Sequence, residues 1–193
     1  MYEVICSRWR EQNNKACIVT EDSSYTFSWI QNEINLFESF ISRNLLKKQE
    51  PQIVLLIGDN SIFSIIIMLY CARKNILCAP VSPSLTEEQL ATQERIIKPN
   101  IVIKKSNKKA IEQSVFTSTY IYKCDKDAYM IELRNLEQSC REEDKFTKSE
   151  PAFLLTTTSG STGSPKPVSF SQKTKLIRAN AAISYWGINS NDV

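Results

Sequence analysis

Phe153-Leu-Leu-Thr-Thr-Thr-Ser-Gly-Ser-Thr-Gly-Ser-Pro-Lys-Pro-Val-Ser-Phe170 is the stretch on which the reading of the whole chain turns. It brings two of the four glycines, Gly160 and Gly163, within three positions of each other. Phe153 to Thr158 is an apolar and β-branched run, which predicts a strand. That strand leads into Ser159-Gly160-Ser161-Thr162-Gly163-Ser164, where small hydroxyl residues alternate with glycines that let a backbone approach a ligand closely. Such a loop suits an anion, because its backbone N–H groups can converge on phosphate oxygens, its hydroxyls add donors and Lys166 supplies a point charge. Pro165 and Pro167 hold the backbone extended on either side of that lysine. Ser/Thr/Gly stretches are commonly flexible linkers. This one instead lies between an apolar strand and Val168-Ser169-Phe170, a second short strand followed by a helix. The Walker spacing fails, since Gly163 is followed by Ser-Pro-Lys rather than by Lys and a hydroxyl residue, and a kinase or GTPase of the P-loop kind is disfavoured.

Working outward, the 193 residues suffice for one sizeable core or two small subdomains. With 42% hydrophobic and 23% charged residues the composition is that of a soluble globular protein. A formal net charge of +3 is too small to argue for nucleic acid. The basic cluster Lys104, Lys105, Lys108 and Lys109 has no interleaved aromatic platform and reads as a solvated face. The six cysteines contain no Cys-x-x-Cys pair and the chain has no histidine, so the usual zinc sites and any Ser-His-Asp or Cys-His catalytic unit are excluded from this chain alone. Cys71 and Cys78 sit in apolar surroundings as small core residues. The first residues lack the pattern of a signal peptide, and the apolar stretch around Ile62 to Ala72 is too short to span a bilayer. A cytoplasmic location is expected.

From the amino terminus, Cys17 to Thr20 is a strand candidate, and a helix capped by Thr26 or Ser28 carries the stripe Ile30, Ile34, Phe37, Ile41 and Leu45. After Pro51, Gln52 to Ile57 is a continuous apolar run of the kind buried on both faces of a parallel sheet. Gly58-Asp59-Asn60 turns the chain, and Ser61 caps a helix carrying Ile62, Ile65, Ile66, Leu69 and Tyr70. Leu77 to Val81 is a strand interrupted by Pro80 and closed by Pro83. Thr86-Glu-Glu-Gln89 is a capping box, and Ile101 to Ile103 follows Pro99 as a further strand. This alternation predicts an α/β fold with a parallel sheet. Thr119 to Tyr122 and Tyr129 to Leu133 are strand candidates around a turn at Cys124 to Asp127, whose Asp125 and Asp127 read as turn residues rather than a metal pair. Glu142 to Ser149 is a charged linker. After Ser171 a helix runs to about Trp186, with Leu176, Ala179, Ile183 and Trp186 available to pack on the sheet, and Gly187 ends it.

The nine positions Thr158-Ser-Gly-Ser-Thr-Gly-Ser-Pro-Lys166 closely resemble the phosphate-binding signature of the adenylate-forming superfamily, which includes acyl-CoA synthetases, aryl-CoA ligases, luciferases and peptide-synthetase adenylation domains. A weaker resemblance extends from Tyr25 onward through Ile53 to Asn60, the helix to Arg73, and Ala79-Pro80-Val81-Ser82-Pro83. Two departures stand out: Pro167 occupies a position where the family usually has Gly, and Lys74-Asn75 one where it commonly has Ala-Gly.

The resemblance implies parallel-sheet layers with flanking helices, as in the N-terminal part of the family's large domain. Residues 1–145 would form an α/β subdomain, and 151–193 the phosphate-loop strand, loop and following helix. It also implies a two-step ligase, in which a carboxylic acid and ATP give an acyl-adenylate and pyrophosphate, and a thiol of coenzyme A or of phosphopantetheine on a carrier protein takes the acyl group. Thr158, Ser159, Gly160, Ser161, Thr162, Gly163, Ser164 and Lys166 would form the nucleotide-binding set, with Thr158 to Thr162 and Lys166 on the β- and γ-phosphates and Mg2+ bridging them. No catalytic residue and no protein metal ligand is assigned. The family's Tyr-Gly-x-Thr-Glu segment, its ribose-binding aspartate, its carboxylate pocket and its mobile C-terminal domain with a catalytic lysine are not found in this sequence. The chain is expected to be the N-terminal portion of a ligase, with little turnover alone. The competing expectation is a non-catalytic nucleotide-binding or interaction module on the same scaffold. The intact mass of the polypeptide made in its native host, and pyrophosphate exchange into ATP, separate the two.

Overall fold

The computed structural model describes residues 1–44, 53–58, 60–106, 119–134, 152–158 and 165–189. Leu45, Pro51, Gln52, Asp59, Lys108, Lys109, Cys140, the charged stretch Glu142 to Ser149 and Ser159 to Ser164 lie outside them.

The fold is α/β and is built around β3 (Ile53–Ile57). This strand has β4 (Leu77–Val81) on one side and β5 (Ile101–Lys105) on the other, both parallel to it and in continuous register from Val54↔Cys78 and Val54↔Ile101. Helix α3 (Ile62–Lys74) connects β3 to β4, and α4 (Glu87–Ile97) carries the chain from β4 across to β5. Strand alternation then divides the core. Val54 and Leu56 pack with Phe63, Ile66 and Ile67 of α3, whereas Ile53 and Leu55 pack with Ile97 of α4. The two crossover helices therefore cover opposite faces, and the run of apolar residues in β3 is explained by burial on both sides. Among the described residues the sheet has seven strands in the order β6-β7-β5-β3-β4-β8-β9. Its parallel centre is flanked by two antiparallel hairpins, β6 (Thr119–Cys124) with β7 (Asp127–Leu133), and β8 (Ala152–Thr158) with β9 (Lys166–Ser171).

Helix α1 (Tyr2–Glu11) and the small antiparallel ribbon of β1 (Ala16–Val19) and β2 (Ser24–Thr26) lead into α2 (Phe27–Asn44). The Trp29 amide donates to Thr26 Oγ1 at 3.2 Å, so Thr26 rather than Ser28 is the cap. Ile30, Ile34, Phe37 and Ile41 are all buried. Phe37 sits edge-on to Phe63, Tyr70 and Tyr122, with ring centroids 5.7, 5.1 and 5.1 Å away. Such arrangements add to the area they bury. Cys71 and Cys78 are fully buried, and burial, followed by the neighbouring Cys78 thiol, pushes the Cys71 thiol well above its ordinary range.

The structure adds to two of these readings and revises one, the break at Pro80. The buried face of α3 is Phe63, Ile66, Ile67 and Tyr70, while Ile62, Ile65 and Leu69 are only half-buried. The helix is apolar almost all round, so periodicity could not select its face. Strand β4 is not interrupted at Pro80, which pairs with Leu56. The Val81 carbonyl accepts from the Gly58 amide on the β3 side, so alternation turns the Pro80 nitrogen toward β8, where Cys78↔Leu154 is the registered pair. Finally, Asn75 takes a left-handed conformation at φ 55, a region favouring glycine that Asn enters more readily than most side chains. The departure at Lys74-Asn75 thus still supplies a helix C-cap, with the Asn75 amide donating to the Cys71 carbonyl.

The Thr86 box forms as its sequence implies, with Thr86 Oγ1 accepting from the Gln89 amide and Gln89 Oε1 from the Thr86 amide. Asp125 turns the β6–β7 hairpin at φ 51 and accepts from the Tyr25 hydroxyl at 2.8 Å, and Asp127 pairs with Lys105 at 2.8 Å. Both acids are thus committed to protein partners.

Candidate functional site

Strand β8 runs parallel to β4, so Thr158 ends at the same carboxyl edge of the sheet as Ile57 and Val81. Open α/β sheets bind ligands along that edge. Two side chains anchor the strand from opposite faces: Phe153 enters the core shared with α2 and α3, and Leu155 the core under α4. Antiparallel pairing then returns the chain along β9, with Leu155↔Ser169, Thr156↔Val168, Thr157↔Pro167 and Thr158↔Lys166 in register. Thr158 Oγ1 donates to the Lys166 carbonyl at 3.4 Å.

Of the eight sequence-designated residues, Thr158 and Lys166 are therefore brought opposite each other where the two strands of the hairpin are connected, both exposed. The other six, Ser159, Gly160, Ser161, Thr162, Gly163 and Ser164, connect these strands and lie outside the described residues. An exposed ammonium and a hydroxyl at the mouth of a Gly/Ser/Thr connection form a donor set suited to a phosphate chain. Among the described residues no group of three or more Cys, Asp or Glu side chains gathers as metal ligands. A hard cation there would take its oxygens mainly from the phosphates, with hydroxyls as the protein's contribution.

The other departure, Pro167, falls inside β9 rather than in the connection. An antiparallel ladder bonds every second pair, so a proline is accommodated when Thr157↔Pro167 is an unbonded pair and its nitrogen faces outward. Strand β9 is the last in the sheet, and its outer edge has no strand beside it among the described residues.

Beyond β9, helix α5 (Gln172–Trp186) is capped by Ser171, whose hydroxyl accepts from the Thr174 amide at 3.1 Å, and is closed by Gly187 at φ 65. The boundaries match the expectation, but the packing does not. None of its residues is buried; Leu176 is half-buried, Ala179 is exposed, and Ile183 and Trp186 are 45% and 73% exposed. The helix touches the sheet at β8 and β9, and Lys175 lies over the Phe170 ring at 4.6 Å.

What the sequence did not reveal is Gln172. Its Nε2 donates to the Ala72 carbonyl at 2.7 Å and to Asn75 Oδ1 at 3.3 Å, and its Oε1 accepts from the Tyr2 amide at 3.1 Å. A lone glutamine at a helix start carries no periodicity or motif that would mark it.

Solved structures share this architecture. VinN in complex with L-aspartate superposes with a TM-score of 0.68 at 14% identity, over 98% of this chain and 52% of that one. The o-succinylbenzoate CoA synthetase MenE from Bacillus subtilis, solved with the acyl-adenylate intermediate OSB-AMP, gives 0.68 at 16% identity over 97% and 47%. A fatty acyl-adenylate ligase from L. pneumophila, solved with acyl adenylate and pyrophosphate, gives 0.64 at 18% identity over 97% and 33%. The chain thus spans about half or less of the length of these structures. No curated protein sequence matches it. Among the described residues, no helix is long and apolar enough to cross a membrane. The family model described as AMP-binding enzyme matches residues 7–193, nearly the whole chain, and the protein therefore belongs to the AMP-binding enzyme family.

Proposed function

We propose that this chain is the phosphate-binding, N-terminal portion of an ATP-dependent carboxylic acid ligase. In the first step a substrate carboxylate oxygen bonds to the α-phosphorus of ATP, and the bond to the bridging oxygen breaks to release pyrophosphate. In the second, a thiolate of coenzyme A or of phosphopantetheine on a carrier protein attacks the acyl carbonyl and AMP leaves. The single observation that supports the reading is the register Thr158↔Lys166, which sets the two ends of the designated run opposite each other at the carboxyl edge of the sheet. Lys166 and the Thr158 hydroxyl would hold the β- and γ-phosphates, together with Ser159 to Ser164, and offset the charge that gathers on the leaving pyrophosphate. Magnesium, bridging phosphate oxygens, would supply further neutralisation. The acid pocket, the adenine and ribose contacts and the catalytic lysine would come from polypeptide beyond these residues, so the chain alone would turn over little substrate.

The test is magnesium-dependent exchange of labelled pyrophosphate into ATP, driven by a panel of carboxylic acids in the complete protein. Lys166→Ala should slow exchange by about ten- to a hundredfold, the worth of one charge-assisted hydrogen bond of about 1.5–3 kcal/mol. An unchanged rate would remove Lys166 from the site. A second reading, a non-catalytic nucleotide-binding or interaction module, is favoured by the exposed apolar side chains of α5. Absence of exchange with every acid, alongside retained ATP binding, would establish that reading instead.

A further inference from the structure

We infer that Gln172 is a positioning residue for the phosphate loop, acting as a latch at the root of the β8–β9 hairpin. The inference rests on the phosphate reading above and extends it to a residue that touches no nucleotide. The loop is at one end of β9 and Gln172 just beyond the other, about 20 Å away by the rise of a six-residue strand. The hairpin needs such a fixture. Strand β8 is held by its pairing with β4 and by Phe153 and Leu155 in the two cores, whereas β9, among the described residues, pairs with β8 alone. Helix α5, which continues β9, buries none of its residues and so supplies little apolar anchorage.

The side chain of Gln172 meets this need with both of its donors and its acceptor oxygen. It donates to the Ala72 carbonyl and to Asn75 Oδ1 at the C-terminal end of α3, and it accepts from the Tyr2 amide at the start of α1. The Ala72 carbonyl belongs to the last turn of a helix whose residues Phe63, Ile66, Ile67 and Tyr70 are buried in the main core. That turn has carbonyls without intrahelical partners and belongs to a helix anchored by those buried side chains. Asn75 is held by its role as the left-handed cap of the same helix. The β9–α5 junction is thereby tied to a helix packed in the main core across 100 residues of sequence. Freed from this tie, β9 would shift against β8, and Lys166 would lose its alignment with Thr158.

The experiment uses the full 193-residue chain and inorganic pyrophosphate as the probe. Gln172→Ala and the isosteric Gln172→Glu, which keeps the acceptor and loses both donated bonds, are compared with wild type by amide hydrogen exchange and by pyrophosphate titration. The expected result is faster exchange in β9 with β3 unchanged, and pyrophosphate affinity lowered about three- to tenfold in both variants. In a Lys166→Ala background the Gln172 substitutions should have little further effect on affinity, because the residue acts through the loop. Thr86→Ala, which weakens the fold at the remote α4 cap, should leave pyrophosphate affinity unchanged. Unaltered exchange in β9, or a loss of affinity in Thr86→Ala equal to that in Gln172→Ala, would overturn the latch. Equal affinity of wild type and Lys166→Ala would overturn the phosphate-loop reading itself, and the positioning role with it.

Discussion

At Gly58 the constraint is space. A Cβ built there would lie 2.5 Å from Ser64 Oγ, a buried hydroxyl already against Ser61 Oγ at 3.2 Å. Gly58→Ala should therefore cost about 1–3 kcal/mol, the usual range for overpacking a tight site. Ser64→Ala removes the clashing atom, so in that background the same substitution should cost markedly less; equal costs in urea unfolding would show that the clash is not the cause. The sequence marked Gly58 as a turn residue, and the reason it must lack a side chain came only with the position of Ser64. Residue-level signals were legible where a local bond carries them, as in the box of Thr86 and Gln89 or the cap at Ser61. They were silent where a distant partner decides, as at Gln172.

Among the elements, α4 ends on Lys98 in the left-handed conformation at φ 51, an expensive state for a side chain with a Cβ. Replacing the exposed Lys98 by glycine should relieve that strain, and after the extra freedom glycine brings to the unfolded chain, a gain of about 0.5–1 kcal/mol should remain. A lower urea midpoint in Lys98→Gly would contradict this. Amphipathic elements were readable from their stripes, and all four described positions of the α2 stripe are buried. Helix α3 was not, because its apolar residues leave no polar face to orient it. The strands at both ends of the designated loop were visible, but not their pairing. Register is set by which side chains the core accepts, here Phe153 on one face and Leu155 on the other.

Over the whole molecule, the alternation from Gln52 to Ile103 announced a parallel α/β sheet, yet the placement of β3 at its centre is a tertiary outcome no local pattern encodes. The candidate site was proposed from one uninterrupted run of small and hydroxyl residues, of which the described Thr158 and Lys166 stand opposite each other. The packing of α5 was misjudged: Leu176, Ala179, Ile183 and Trp186 have the composition of a buried stripe, and periodicity cannot say whether anything covers it. That exposure has an optical side. Of the three tryptophans, Trp9 is buried, Trp29 is half-buried against Tyr25, and Trp186 is 73% exposed. Acrylamide should quench mainly a red-shifted component that Trp186→Phe abolishes, and undiminished quenching in that variant would show that α5 is covered in solution. Excited at the red edge, the chain carries its own dye on its least protected helix, and a shift of that emission to the blue signals when the helix leaves water.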